Sequence, residues 1–388
     1  MSRAPLGHEL DEILGQTPAE LVQRHISRFN DRIKSTGESY VLFGAGNLGK
    51  VALHSLARAG LRPVAFADNN PNLWNTSIDD ITIYSPEEAV SRFSKTAVFV
   101  TSVYTNQPVW KQLLAQGVEP VSFAALAWKY AEAFLPYYTL ELPDNIFHQA
   151  EQVQRAFSLW ADDASRSEYL AQLRWRVTLD PSDLPPHLPQ QEIYFLDDLI
   201  VPDPHEVFID CGAFDGDTIR EFIKRRSASY DRIIAIEPDP INFKTLQQYI
   251  ASLPGPARRG LLAMQCAVGS ESRTVQFEAT GTVGSSSGRG SLEIEGRPLD
   301  ELVKQYAPTF VKMDIEGAEP DALRGMRQIV QSNHPILAVC LYHRQDHLWQ
   351  IPLLIKSLSD EYHLFLRRYS DECWELVCYA VPKTRLRG

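Results

Sequence analysis

The sequence predicts an α/β protein built from two parallel-sheet domains, and three observations carry that expectation. Short apolar strands alternate with helical spacing in two stretches, 40–125 and 191–388. In each stretch an early strand runs into a glycine turn that opens a helix. Between the stretches, Pro181, Pro185, Pro186 and Pro189 break the chain, because proline removes an N–H donor and fixes φ.

Residues 1–39 read as a helical segment with Leu14, Leu21, Ile26 and Phe29 on the apolar side; Thr17-Pro18-Ala19-Glu20 has the form of a capped start, Thr17 capping and Glu20 reaching back. Tyr40 to Phe43 is a strand entering Gly44-Ala45-Gly46-Asn47-Leu48-Gly49. A helix follows through Leu53, Leu56 and Ala57, then strands from Pro63 to Ala67 and Ala97 to Val100. Residues 40–125 are therefore expected to form a Rossmann-like nucleotide-binding domain. Residues 126–190 read as a helical connector dominated by one long helix from Gln149 to Val177. In the second domain, 191–388, strands are expected at Val207 to Ile209, Ile233 to Ile236, Phe310 to Met313 and Ile336 to Tyr342. Tyr362 to Leu366 and Leu376 to Ala380 read as an antiparallel pair at the sheet edge.

The formal net charge of −11 argues against a broad nucleic-acid or anionic-membrane surface. No apolar run approaches the ~20 residues of a membrane helix, and no apolar leader follows the N-terminus, so a cytoplasmic location is expected. Five cysteines, an odd number without a CxxC pair, read as buried thiols.

The most informative stretch is Val207-Phe208-Ile209-Asp210-Cys211-Gly212-Ala213-Phe214-Asp215-Gly216-Asp217-Thr218. It lacks both GxGxxG and the Lys-Ser/Thr of a phosphate clamp, and its carboxylates would repel a pyrophosphate. Gly212 and Gly216 are expected to let the backbone approach a ligand, and the acidic cluster suits a cationic one. Glu237-Pro238 follows at the tip of the next strand, 27 residues after Asp210, where a carboxylate accepts from ribose hydroxyls. Cys266-Ala267-Val268-Gly269, at a third strand end, is the expected adenine wall. S-adenosylmethionine fits this set, with Asp210, Gly212, Ala213, Phe214, Asp215, Gly216, Thr218, Glu237, Pro238, Ala267 and Val268 as candidate cofactor-binding residues.

Those motifs, together with Lys312-Met313-Asp314-Ile315-Glu316-Gly317-Ala318-Glu319, Tyr342-His343, Leu348-Trp349-Gln350-Ile351-Pro352 and Glu375, resemble the FkbM family of methyltransferases over residues 190–383. The resemblance implies a class I seven-stranded methyltransferase fold and O-methylation of a sugar, glycan or other small-molecule acceptor. One departure is His347, where the resemblance leads to a carboxylate.

A hydroxyl acceptor calls for alignment and a general base. His343, at the end of the strand from Ile336, is the candidate base because imidazole titrates near neutrality. Asp314 and Glu316 are candidates to orient it or the acceptor, and Glu319 reads as a helix-start acid. Asp314, Glu316 and Asp346 are hard oxygen donors, but no spacing demands a metal, and none is assigned. Gly281 to Ser291 is either a lid carrying Arg289 or a plain hairpin connection.

In the first domain, Gly44, Gly46 and Gly49 match GxGxxG, with Asp68 lying 24 residues beyond Gly44. Ala67-Asp68-Asn69-Asn70-Pro71 and Ser85-Pro86-Glu87-Glu88 resemble nucleotide-binding domains found beside sugar-modifying enzymes. This domain either binds a nucleotide, NAD or a nucleotide-sugar, or serves packing or homodimerisation. The rival function is an oxidoreductase centred on this turn, although no hydride-transfer acid is evident.

Overall fold

The computed structural model describes residues 6–34, 36–101, 107–180, 184–227, 229–279, 286–287, 291–370 and 373–387. They divide into two compact units. The first comprises Met1–Ala150, Leu170–Pro186 and Asp371–Cys373; the second comprises Glu151–Tyr169, His187–Ser370 and Trp374–Gly388.

The first unit carries six strands: β1 (Tyr40–Phe43), β2 (Ala65–Ala67), β3 (Ser77–Ile78), β4 (Ile81–Tyr84), β5 (Val98–Thr101) and β6 (Val121–Ser122). Their order is β3-β4-β2-β1-β5-β6, parallel except for the β3–β4 hairpin. Every residue of β1, β2 and β5 is buried, as expected for parallel strands covered on both faces. Helices Leu6–Leu14 and Pro18–Ile33 occupy the expected N-terminal helical stretch. Thr17 does stand at the start of the second, but its side chain makes no capping hydrogen bond; Pro18 at the first helical position sets that end.

The expected long helix from Gln149 to Val177 is two helices, Ala150–Ser158 and Asp163–Thr178. Trp160 leaves the helical path to bridge Leu364. Asp162 then caps the second helix, its Oδ1 accepting from the Ser165 N–H at 2.8 Å.

The second unit holds β7 (Val207–Cys211), β8 (Arg232–Ile236), β9 (Leu261–Met264), β14 (Phe310–Met313), β15 (Ile336–Cys340), β16 (Tyr362–Arg368) and β17 (Leu376–Pro382) in one seven-stranded sheet. Its order is β16-β17-β15-β14-β7-β8-β9. β17 runs antiparallel between β15 and β16, and the other pairings are parallel. Phe208 stacks on Phe222 with ring centroids 4.6 Å apart and meets Phe310 edge-on at 5.4 Å, so aromatic packing anchors the sheet centre.

A second, four-stranded sheet comprises β10 (Ala267–Val268), β11 (Arg273–Glu278), β12 (Ser286–Ser287) and β13 (Leu292–Arg297), around Ala267, Phe277 and Ile294. Most of the Gly281 to Ser291 stretch, Arg289 included, lies outside the described residues. No helix among the described residues is long and apolar enough to cross a membrane.

Candidate functional site

β7 and β14 are neighbours in register, and their partnered positions include Asp210 opposite Lys312. Both side chains are buried in otherwise apolar strands, with Lys312 Nζ 3.0 Å from Asp210 Oδ1. Lys312 also donates to the Gly212 carbonyl at 2.7 Å and lies 5.3 Å from the centre of the Tyr194 ring. Burial pushes Asp210 up to about 6; Lys312 opposes that rise, and Asp217 and Asp314 add to it. Burial alone would lower the Lys312 ammonium, but the attraction of Asp210, with Asp314 and Asp217, holds it above its ordinary value.

The turn after β7 has three positive φ values: Gly212 (+79°), Phe214 (+46°) and Gly216 (+89°). A Cβ on Gly212 would overlap the Asp314 carbonyl, and one on Gly216 would meet the Tyr249 ring at 2.5 Å. At both positions the close approach that demands glycine is protein against protein. Gly212 and Ala213 both donate to the Ile236 carbonyl, at 3.0 and 3.1 Å. The buried Glu237 carboxylate accepts from the Phe214 N–H at 2.8 Å and the Asp239 N–H at 2.9 Å. Burial raises Glu237 above its ordinary range in spite of those two donors. Asp215 Oδ1 has no hydrogen-bond partner among the described residues. Asp217 Oδ1 accepts from the Thr218 N–H at 2.6 Å at the head of the following helix. Pro238 directly follows the stapled acid. Ala267 and Val268 do not end a strand of the large sheet: β9 stops at Met264, and these two residues pair with Gly296 and Arg297 of the second sheet.

Beyond β14 the chain makes a tight turn with positive φ at Glu316 (+55°) and Gly317 (+102°). Glu319, buried at the head of helix Glu319–Arg324, staples this turn: its Oε1 accepts from the Ile315 N–H at 2.9 Å and the Gly317 N–H at 3.5 Å. The same oxygen lies 2.7 Å from His343 Nδ1, and Glu319 Oε2 is 3.4 Å from His347 Nδ1. Strand β15 ends at Cys340, so His343 stands three residues past it rather than at its end. His343 Nε2 lies 3.2 Å from Asp314 Oδ1 and 3.8 Å from Glu316 Oε2. Asp314 also accepts from Tyr342 at 2.8 Å and from Tyr194 at 2.9 Å.

The charges follow from these contacts. Burial would lower His343, yet Glu319, Asp314 and Glu316 together hold it well above the usual imidazole range. Burial would raise Asp314 and Glu319, but His343 with Lys312 outweighs it at Asp314, and His343 with His347 outweighs it at Glu319. Both acids stay below their ordinary values. His347 goes the other way, down to about 4, chiefly through burial. The surrounding carboxylates therefore favour the charged imidazole at His343, whereas burial favours the neutral one at His347. Among the described residues no group of three or more His, Cys, Asp or Glu side chains has the arrangement to hold a metal ion.

The structure thus brings together His343, Asp314 and Glu316, and separately ties Phe214 of the glycine turn to Glu237. Lys312, Tyr194, Tyr342, Glu319 and His347 complete the arrangement without having been singled out for it. Lys312 had a sequence signal, a cation inside the apolar run Phe310-Val311-Lys312-Met313. Tyr194, 120 residues from its partner Asp314, had none. In the first unit, Ala45 of the Gly44–Gly49 turn donates to Asp68 Oδ2 at 2.8 Å, and a Cβ on Gly49 would overlap the Gly44 carbonyl. Gly46 immediately precedes the helix Asn47–Arg58.

Residues 210–373 match the family described as the methyltransferase FkbM domain. The crystal structure described as methyltransferase FkbM from Methylobacillus flagellatus KT superposes with a TM-score of 0.76 over 97% of this chain and 98% of that one. At 22% identity, what the two share is the fold. A Haloferax volcanii protein described as the hexuronic acid methyltransferase AglP is 33% identical over 106 residues, 26% of this chain. The match spans 43% of that relative's length.

Proposed function

We propose that the second unit is an S-adenosylmethionine-dependent methyltransferase with a class I sheet, transferring methyl to a hydroxyl of a sugar or related small-molecule acceptor. The observation that carries this reading is the buried Asp210 at the mouth of the glycine turn. Its Oδ1 is ion-paired with Lys312 at 3.0 Å, and neither of its oxygens accepts a hydrogen bond among the described residues. A buried carboxylate oxygen without a donor is costly unless a cationic ligand supplies one. Asp210 and the turn through Gly216 would take the cationic amino-acid end, and Glu237 the ribose. Ala267 and Val268 are the proposed adenine wall. The strand order around β7 and the family match over 210–373 support the same reading. The match to AglP supports a sugar-type acceptor.

S-adenosylmethionine, when bound, supplies an electrophilic methyl group. The chain's own part is to align the acceptor and manage its proton. Asp314, saturated by Tyr194, Tyr342 and His343, orients rather than accepts. His343 acts as a base only from its neutral form, so turnover would rise with pH through the alkaline range. A flat profile combined with an inactive His343→Ala would leave it an orienting role instead. Calorimetric titration with S-adenosylmethionine and NAD, with Glu237→Ala as control, tests the assignment. Binding of NAD alone would overturn it. For the first unit, titration with NAD and a nucleotide-sugar, alongside a measurement of solution mass, separates a ligand site from a packing or homodimer role.

A further inference from the structure

We infer that Lys312 is a positioning residue, which holds Asp210 through an ion pair and keeps its carboxylate an anionic acceptor for the ammonium of a bound cofactor. The inference rests on the methyltransferase reading and adds a residue that reading does not require. Three observations carry it. Lys312 is tethered twice, to Asp210 Oδ1 at 3.0 Å and to the Gly212 carbonyl at 2.7 Å, so its ammonium is fixed in the sheet. Its contact with Gly212 occupies the first carbonyl of the turn and ties the turn's entry to β14. Finally, neither Asp210 oxygen accepts a hydrogen bond among the described residues, so the buried carboxylate keeps acceptor capacity beyond its ion pair with Lys312.

The electrostatic surroundings give Lys312 a second duty. The charged and titratable groups facing this pair are Asp217 from the following helix, Asp314 beyond β14, Glu237 beyond β8, Cys340 from β15 and Cys211 beside Asp210 on β7; Tyr194 contributes its ring. All of these acids are anionic when ionised, so Lys312 is the cation that keeps Asp210 ionised against burial. With Lys312 in place, Asp210 titrates at about 6 and is largely ionised at pH 7.5. Without it, burial and the neighbouring acids protonate Asp210 near neutrality, and a cationic ligand must then displace that proton.

The test is titration calorimetry on the full chain at pH 6.5, 7.5 and 8.5, in buffers of different ionisation enthalpy. The probes are S-adenosylmethionine, S-adenosylhomocysteine and 5′-methylthioadenosine, the last lacking the amino-acid end. The natural protein should bind the first two at pH 7.5 with no net proton exchange. Lys312→Met should weaken both by at least ~10-fold at pH 7.5, release close to one proton on binding, and recover about tenfold per pH unit. Methylthioadenosine affinity should hold in the same variant, which mere distortion of the turn would not allow, and Lys312→Arg should restore the natural behaviour. If Lys312→Met does not fold, Lys312→Gln keeps a donor without the charge and reads the same proton count. Unchanged affinity and pH dependence in the variant overturn the inference, as does a proton released by the natural protein at pH 7.5. If the natural protein binds neither sulfur ligand, the methyltransferase reading itself falls and takes the inference with it.

Discussion

Asp68 and Glu237 occupy equivalent places in the two units and are wired alike. Each accepts one N–H from the preceding glycine turn, Ala45 at 2.8 Å and Phe214 at 2.8 Å. Each accepts a second from the residue two positions on, Asn70 at 2.8 Å and Asp239 at 2.9 Å. The difference lies one strand away. Two residues before the first glycine of the turn, β1 places Leu42 opposite Val100, whereas β7 places Asp210 opposite Lys312. The same position in two parallel sheets is filled once by an apolar pair and once by a buried ion pair. Desolvating two charges makes such a pair a poor source of stability. An apolar pair is plainly compatible with this architecture, so the charges of the second unit are better explained by ligand chemistry than by folding.

The comparison is broken most directly by transplanting the apolar pair. Asp210→Leu with Lys312→Val should weaken S-adenosylmethionine binding by more than ~100-fold while thermal stability holds or rises by ~1–4 kcal/mol. A calorimetric titration beside a melting curve reads both. Loss of stability with binding retained would invert the argument. A smaller contrast separates the glycines. Gly212→Ala meets a carbonyl as well as a positive φ and should cost at least ~3 kcal/mol, whereas Gly44→Ala, at φ +116° with open space around it, should cost only the strain, about 1–2 kcal/mol, in chemical denaturation.

The stapling acids offer a third, finer test. Glu237→Gln replaces a buried acceptor and should cost ~1–3 kcal/mol, against ~0.5–1 kcal/mol for the more exposed Asp68→Asn. Equal costs in urea unfolding would mean that burial does not distinguish the two staples. The smallest effect is a difference of sign. His25 of the first unit is lowered to about 4 by burial, with Arg28 adding to the shift, so its contribution to stability is lost as pH falls from 6.5 towards 4. His343 is raised, so its contribution is fully present below the unfolded value near 6.5 and fades as pH rises through the folded one. Melting curves of His25→Phe and His343→Phe against pH should lose opposite limbs of the natural profile.

Much of this arrangement was legible because strands announce themselves locally. Val207 to Ile209, Ile233 to Ile236 and Phe310 to Met313 are compact apolar runs, and each is a strand in the large sheet. Asp210, Glu237 and Asp314 were readable as strand-end acids for the same reason. Side-chain partnerships across long separations carry no such periodic signal. Tyr194 reaches Asp314 from a segment with no strand or helix pattern, and Glu319 was readable as a helix start but not as the anchor of two histidines. The break near Trp160 was hidden because Asp162 caps a helix by a contact that helical periodicity does not encode. The raised pKa of His343 depends on three acids arranged around one ring, which residue type alone cannot convey.

The place of β17 has a consequence for how the protein is made. It enters the sheet between β15 and β16, two strands synthesised before it. On the ribosome, therefore, β15 waits with one apolar edge, Leu337 to Cys340, unpaired until residues 377–380 have emerged. An exposed apolar edge is a template for pairing with other nascent chains. The interval between translating β15 and releasing β17 is thus when this molecule is most open to aggregation. Slow elongation across residues 341–376 would lengthen it.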